Sequence, residues 1–287
     1  MMNSTSLKFP AQAKIELAEG LSLLFRATAN DLSGYPSARI QKGLLLLRGN
    51  SELSEEGVGF GLPIIKTEFE TIFPGEAQIR IDDKENVSRL IVDYTLNLRE
   101  TLKMGDTTIQ SQNFYRLQDR LGYLHRTYPA LRGTGVALSN LARRICGLKS
   151  CFEAIPSGHH VNVIYTVQTG RRNINIDLEF KEIRGRGDIG ITVANEQGAN
   201  FFDAYKDSSG IIMRKNRIGT WDEISAGEAR LIDSANQIFF SLRKVPGASF
   251  FRGRELVPDR LAWSGLNYVL SDHADEFHYN IEIGAPK

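Results

Sequence analysis

Over residues 173–180 the chain alternates without a break, with Ile174, Ile176, Leu178 and Phe180 on one parity and Asn173, Asn175, Asp177 and Glu179 on the other. A helix would scatter those four apolar side chains around its circumference. Only an extended strand, whose successive side chains point to opposite faces, gathers them on one side. The run therefore predicts a strand with one buried and one wet face, the signature of an antiparallel sheet. Just upstream, residues 160–168 are rich in β-branched types, and Thr169-Gly170-Arg171-Arg172 supplies a glycine-containing turn. The two runs read as a hairpin.

The same grammar recurs along the chain. Strands are predicted at 14–17, 22–27, 38–47, 61–67, 70–73, 77–82 and 89–103, then at 190–194, 201–206, 211–215, 220–224, 237–243, 249–252, 261–270 and 276–283. Asp207-Ser208-Ser209-Gly210, Asn216-Arg217-Ile218-Gly219 and Pro246-Gly247 carry the residues that tight turns require. Strands joined by such turns, with no regular alternation of strand and helix, predict a mainly β fold: a large antiparallel two-sheet sandwich. The stretch 89–103 is long enough to bend and serve both sheets.

One segment departs from this pattern. Phe114, Leu117, Leu121, Leu124 and Tyr128 follow helical spacing, as do Val136, Leu141 and Ile145 after a break at Pro129, Gly133 and Gly135. They predict a central helical pair. No linker-like tract divides the chain. The expected organisation is one β-sandwich body over 1–287, with a helical segment 110–147 inserted between an N-terminal β part (11–109) and a C-terminal β part (149–285). This element pattern resembles the supersandwich of galactose-mutarotase-like and related carbohydrate-active proteins. The resemblance lies in element order, and it assigns no catalytic positions.

Composition excludes several classes. With 41% hydrophobic and 24% charged residues, the chain is not of disordered type. No run approaches the roughly 18 consecutive apolar residues of a membrane span. Residues 1–10 contain no continuous apolar stretch of secretory type, so the expected location is cytoplasmic. Cys146 and Cys151, without a second pair, predict free thiols, mostly buried, and no zinc site. No metal and no cofactor is implied, and oligomeric state is not legible.

Charge is divided unevenly. Residues 112–150 carry seven basic residues against the single acid Asp119, a net +6 in a chain whose total is +1, which leaves −5 for the remainder. Arg116, Arg120, Arg143 and Arg144 are the candidate anion-binding residues, suited to nucleic acid, an anionic polymer or an acidic protein. Pairing of helix flanks with an acidic β body would account for the same charges. Gly57-Val58-Gly59-Phe60-Gly61 precedes Leu62-Pro63-Ile64-Ile65, which reads as strand. It lacks the strand-before, helix-after context of a dinucleotide loop, so it reads as a turn or a bulged start of a strand.

Two further groups point to sugar chemistry. If 276–283 is a strand, Glu276, His278, Asn280 and Glu282 share one face. His278 and Glu276 are then candidates for general acid and base, and Glu282 for hydrogen bonding to a polyol; a solvent-facing strand would show the same alternation. Trp221 with Asp222, together with Trp263, combines aromatic faces for sugar C–H surfaces with a carboxylate for hydroxyls. No serine elbow or phosphate-binding P-loop is present. Two function classes follow: a carbohydrate-active or carbohydrate-binding β-sandwich protein with a saccharide partner, or a non-enzymatic scaffold whose basic helices 112–147 hold an anionic partner. Neither involves a membrane.

Overall fold

The computed structural model describes residues 11–27, 30–32, 35–54, 57–67, 70–109, 141, 144–180, 183, 190–255, 263–270 and 274–285. In chain order the strands are β1 (Gln12–Glu16), β2 (Leu21–Arg26), β3 (Asn30–Leu32), β4 (Tyr35–Ile40), β5 (Leu45–Arg48), β6 (Ser51–Glu52), β7 (Gly59–Lys66), β8 (Thr71–Lys84), β9 (Val87–Met104), β10 (Thr107–Thr108), β11 (Leu148–Gln168), β12 (Asn173–Glu179), β13 (Gly190–Gly198), β14 (Phe202–Asp207), β15 (Ile212–Arg214), β16 (Asp222–Glu223), β17 (Glu228–Asp233), β18 (Ile238–Arg243), β19 (Ala248–Glu255), β20 (Trp263–Leu270) and β21 (Glu276–Gly284). The fold is mainly β, and the strand pairings are antiparallel.

One continuous ladder runs β15-β14-β17-β18-β21-β12-β11-β9-β8-β7-β13-β20-β19-β16, with β10 on the side of β9. It turns back on itself at one level. The β8–β9 register shifts around Pro74, and the β11–β9 register shifts between Ala154 and His159. Pro74 has no backbone N–H to offer the ladder, and a Cβ at Gly75 would collide with the Asn97 side chain. Three long strands therefore bulge together. Below that level, 76–84, 87–96 and 159–168 join the layer β12-β21-β18-β17-β14. Above it, 71–73, 98–104 and 148–154 join the layer β7-β13-β20-β19.

The two layers meet through aromatic residues. Phe60 of β7 lies 5.2 Å from Phe240 of β18, and the Tyr268 ring of β20 lies 5.1 Å from both Phe277 and Tyr279 of β21. Ile174, Ile176 and Leu178 are fully buried, as the alternation requires. Burying each such side chain is worth about 1.5–3 kcal/mol. The small sheet β1-β2-β5-β6 closes one end of the core, with Phe25 edge-on to Tyr94 at 6.1 Å.

Several expectations need correction. The stretch 38–47 is two strands rather than one. Gln41 N–H donates to the Pro74 carbonyl at 2.8 Å, and a Cβ at Gly43 would collide with the Phe60 carbonyl, so the chain leaves extended pairing there. The stretches 70–73 and 77–82, expected as two strands, are one, β8, with Phe73-Pro74-Gly75 as the bulge inside it. Strand β17 and the first half of β11 were not expected at all. Gly59 and Gly61 have φ of +83° and +74° and begin β7 beside a register shift between Ala194 and Asn195, so this run is a bulged strand start. Most of the expected helical pair lies outside the described residues; Leu141, Arg144 and Ile145 have helical backbone and are exposed. Both cysteines are free, but Cys146 is exposed and Cys151 half-buried, so neither is a core thiol. No described helix is long and apolar enough to cross a membrane.

Candidate functional site

Parity along β20 fixes which side chains face out of the sandwich. Tyr268 packs inward on β21, so Trp263, Gly265 and Asn267 face the opposite way. Across the ladder Gly265 pairs with Glu196 on one side and Gly253 on the other, Trp263 pairs with Glu255, and Asn267 with Phe251. The two facing glycines have a structural reason. A Cβ at Gly265 would lie 2.6 Å from Cγ of Glu196, and one at Gly253 would collide with the Trp263 ring and the Thr220 carbonyl oxygen. Without those atoms, Glu196 and Trp263 lie down across the neighbouring strands.

An aromatic shelf results. Trp221 stacks on Phe251 at 5.4 Å and 16°, and meets Trp263 edge-on at 6.2 Å and 72°. All three are half-buried. The Trp263 indole N–H donates to Glu255 Oε2 at 3.3 Å. Beside it, Glu196 is only 8% exposed and accepts a hydrogen bond from Asn267 Nδ2 at 3.0 Å. The Asn267 side chain is oriented in turn by Asn195 N–H, which donates to Oδ1 at 2.8 Å.

Burial dominates the titration of both carboxyls. It pushes Glu196 up to about 8, with the Asn267 hydrogen bond pulling down and the charge of Glu255 adding to the rise. Burial also raises Glu255, opposed by the Trp263 N–H. At neutral pH Glu196 holds its proton, so a neutral acid stands beside a second carboxyl against aromatic surfaces. Asp222 is placed differently: it pairs with Arg252 at 3.5 Å, whose guanidinium lies 5.0 Å over the Tyr205 ring.

The C-terminal strand has the polar face expected of it. His278 Nδ1 lies 2.8 Å from Asp177 Oδ1 and Nε2 lies 3.6 Å from Glu276 Oε2. The Asp177 hydrogen bond is the main cause raising the His278 pKa, with burial opposing it and the charges of Asp177 and Glu276 assisting. Asn280 Nδ2 donates to Asn175 Oδ1 at 2.7 Å. Glu282 sits further along and lines an open cleft of about 550 Å³ with Arg172, Lys206, Arg230 and Phe239.

These two groups are not brought together. Because Tyr268 and Tyr279 face each other across the core, Trp263 and His278 point out of opposite sides of the sandwich. Trp221 and Trp263 meet, and His278 meets Glu276, but the indoles stand beside Glu255 and Glu196 instead. Sequence reasoning passed over Glu196, Glu255, Phe251 and Asn267. The available signal was Gly253 and Gly265, glycines inside strand-like runs, which mark close approach of another group. Arg116, Arg120 and Arg143 lie outside the described residues, and Arg144 is exposed. Among the described residues no group of three or more His, Cys, Asp or Glu side chains is placed to hold a metal ion.

No family model matches the sequence, and no curated protein matches it. Solved structures with a similar chain path include an α-N-acetylgalactosaminidase from Bifidobacterium bifidum, at 7% identity and a TM-score of 0.47, covering 96% of this chain and 36% of that one. An α-mannosidase from Enterococcus faecalis has 9% identity and a TM-score of 0.43, covering 95% and 29%. A galactose mutarotase-like protein from Clostridium acetobutylicum has 6% identity and a TM-score of 0.41, covering 94% of each chain. The chain thus spans about a third of the two glycosidases and nearly all of the third protein.

Proposed function

We propose that this chain is a carbohydrate-binding protein of the β-sandwich class, with its sugar site on the outward face of β13, β20 and β19. The observation that carries the proposal is the Trp263 indole fixed by Glu255 within an aromatic shelf completed by Trp221 and Phe251. A pyranose offers an apolar C–H face and a rim of hydroxyls. The shelf suits the first, and the carboxylate of Glu255 accepts hydrogen bonds from the second. Glu196, carrying its proton, supplies a hydroxyl donor without a second negative charge.

A carboxyl that keeps its proton at neutral pH, with a second carboxyl near it, is also the residue set of an acid/base pair. Carbohydrate-active chemistry at this face is therefore the finer form of the proposal, with Glu196 as acid and Glu255 as base. His278, Glu276 and Glu282 have no part in it, since they face away.

Titration of neutral mono- and oligosaccharides, read by tryptophan fluorescence and calorimetry, tests the assignment. Trp263→Ala and Glu255→Gln should each weaken binding by about tenfold, the equivalent of one lost stacking or hydrogen-bond contact of about 1.4 kcal/mol. His278→Gln should leave it unchanged. Equal losses in all three variants, or no binding by any sugar, would remove the site from this face.

A further inference from the structure

On the other side of the same three strands lies a row of buried polar residues. Gln197 of β13 pairs with Ser264 of β20, and Ser264 pairs with Arg254 of β19. They are 0%, 0% and 8% exposed. Each keeps a buried polar atom without a protein partner: Gln197 Nε2, Ser264 Oγ and Arg254 Nε. Directly opposed residues on adjacent strands share one face, so the three side chains form a row on the inner face of this layer.

Their other atoms are already committed. Ser54 Oγ accepts Leu46 N–H at 2.8 Å and donates to Gln197 Oε1, which leaves the amide nitrogen of Gln197 without a partner. Arg254 Nη2 donates to the Ala199 carbonyl at 2.9 Å. No carboxylate among the described residues forms an ion pair with this guanidinium; Asp203 acts on it only as a nearby charge. The remaining capacity is almost entirely of one kind. Two N–H bonds of Gln197, one of Arg254 and the Ser264 hydroxyl are donors, next to a buried positive charge.

Such a set repels a cation. A water molecule would accept two of these hydrogen bonds but would leave the charge of the buried guanidinium unbalanced. An anion takes every donor and neutralises the guanidinium. We propose that Gln197, Ser264 and Arg254 hold a small inorganic monoanion of the halide class inside the sandwich, directly behind Glu196, Trp263 and Glu255. Each of the three adjoins one of those residues in sequence, so occupancy is reported by Trp263. The proposal stands independently of any saccharide bound on the outer face.

The test is thermal unfolding and tryptophan emission at constant ionic strength, with chloride or bromide replacing isethionate, an anion too large for the row. A saturable rise in Tm with halide is expected, together with a change in emission. Bromide-soaked crystals should give an anomalous peak within hydrogen-bond distance of Arg254 Nε and Gln197 Nε2. Arg254→Met should abolish the halide-dependent part of the stability. Should that variant fail to fold, Ser264→Ala, which loses one donor, should weaken the apparent halide affinity several-fold while Trp263→Phe leaves it intact. Identical melting in both salts, or density at the row without anomalous signal, would overturn the proposal.

Discussion

Glu196→Gln isolates the energetic cost of the buried carboxyl. In the unfolded chain this group ionises near 4.5, whereas in the folded protein it keeps its proton to about 8. Below the lower value both states are protonated and folding carries no penalty from it. Between the two values the folded state binds one proton more, so stability falls as pH rises, by about 1.4 kcal/mol per pH unit. The interval of about 3.5 units gives about 5 kcal/mol, fully lost once pH has passed about 8. That is comparable with the whole stability of a marginal domain. Glutamine keeps the oxygen that accepts from Asn267 Nδ2 but cannot ionise. Urea unfolding of both proteins at about pH 4 and about pH 9 is the assay. The two should be nearly equal at the acid end, and the variant should be more stable by up to about 5 kcal/mol at the alkaline end. A difference between them that does not change with pH would refute the assignment of a retained proton to Glu196.

Gly253→Ala should destabilise by roughly 2–3 kcal/mol and shift tryptophan emission, because the new methyl group meets the Trp263 ring and the Thr220 carbonyl; an unchanged melt and spectrum would contradict the packing described. Tyr279→Phe should cost about 1–2 kcal/mol in denaturant unfolding, since it removes the 2.7 Å hydrogen bond to buried Asn195 Oδ1 and leaves only Gly61 N–H at 3.1 Å. For His278, an NMR titration should give a pKa above the ordinary 6.5, and Asp177→Asn should bring it back down. Because the folded value is raised, the stability this pair contributes is present below 6.5 and is lost as pH rises through the folded value, so the gap between wild type and Asp177→Asn should narrow toward alkaline pH.

Much of the fold was legible where one face is apolar and the other wet. The alternation of 173–180 and of 276–283 gave two strands that do pair, Ile176 opposite Tyr279. The rule failed where polar residues are buried. Asn195, Glu196 and Gln197 do not look like a continuation of β13, yet all three are buried, held by Tyr279, Asn267 and Ser54. In β17, Asp233 occupies an inward position and is fully buried by bonding to the backbone of Ala235 and Asn236, which disguised a strand as a loop. At the site, the two tryptophans were visible as residue types. Their carboxyl partners were not, because Glu196 is 67 residues from Trp263 in the chain and only cross-strand register joins them.

The shared bulge of β8, β9 and β11 makes the two layers one piece of cloth rather than two sheets laid together. Each of these strands is hydrogen-bonded into both layers, so sliding one layer over the other would stretch all three at the same level. An insertion or deletion beside Pro74, Asn97 or Ile155 in one strand would have to be matched in its two neighbours to keep both registers. This line across the sandwich is therefore where the length of the chain is least free to change.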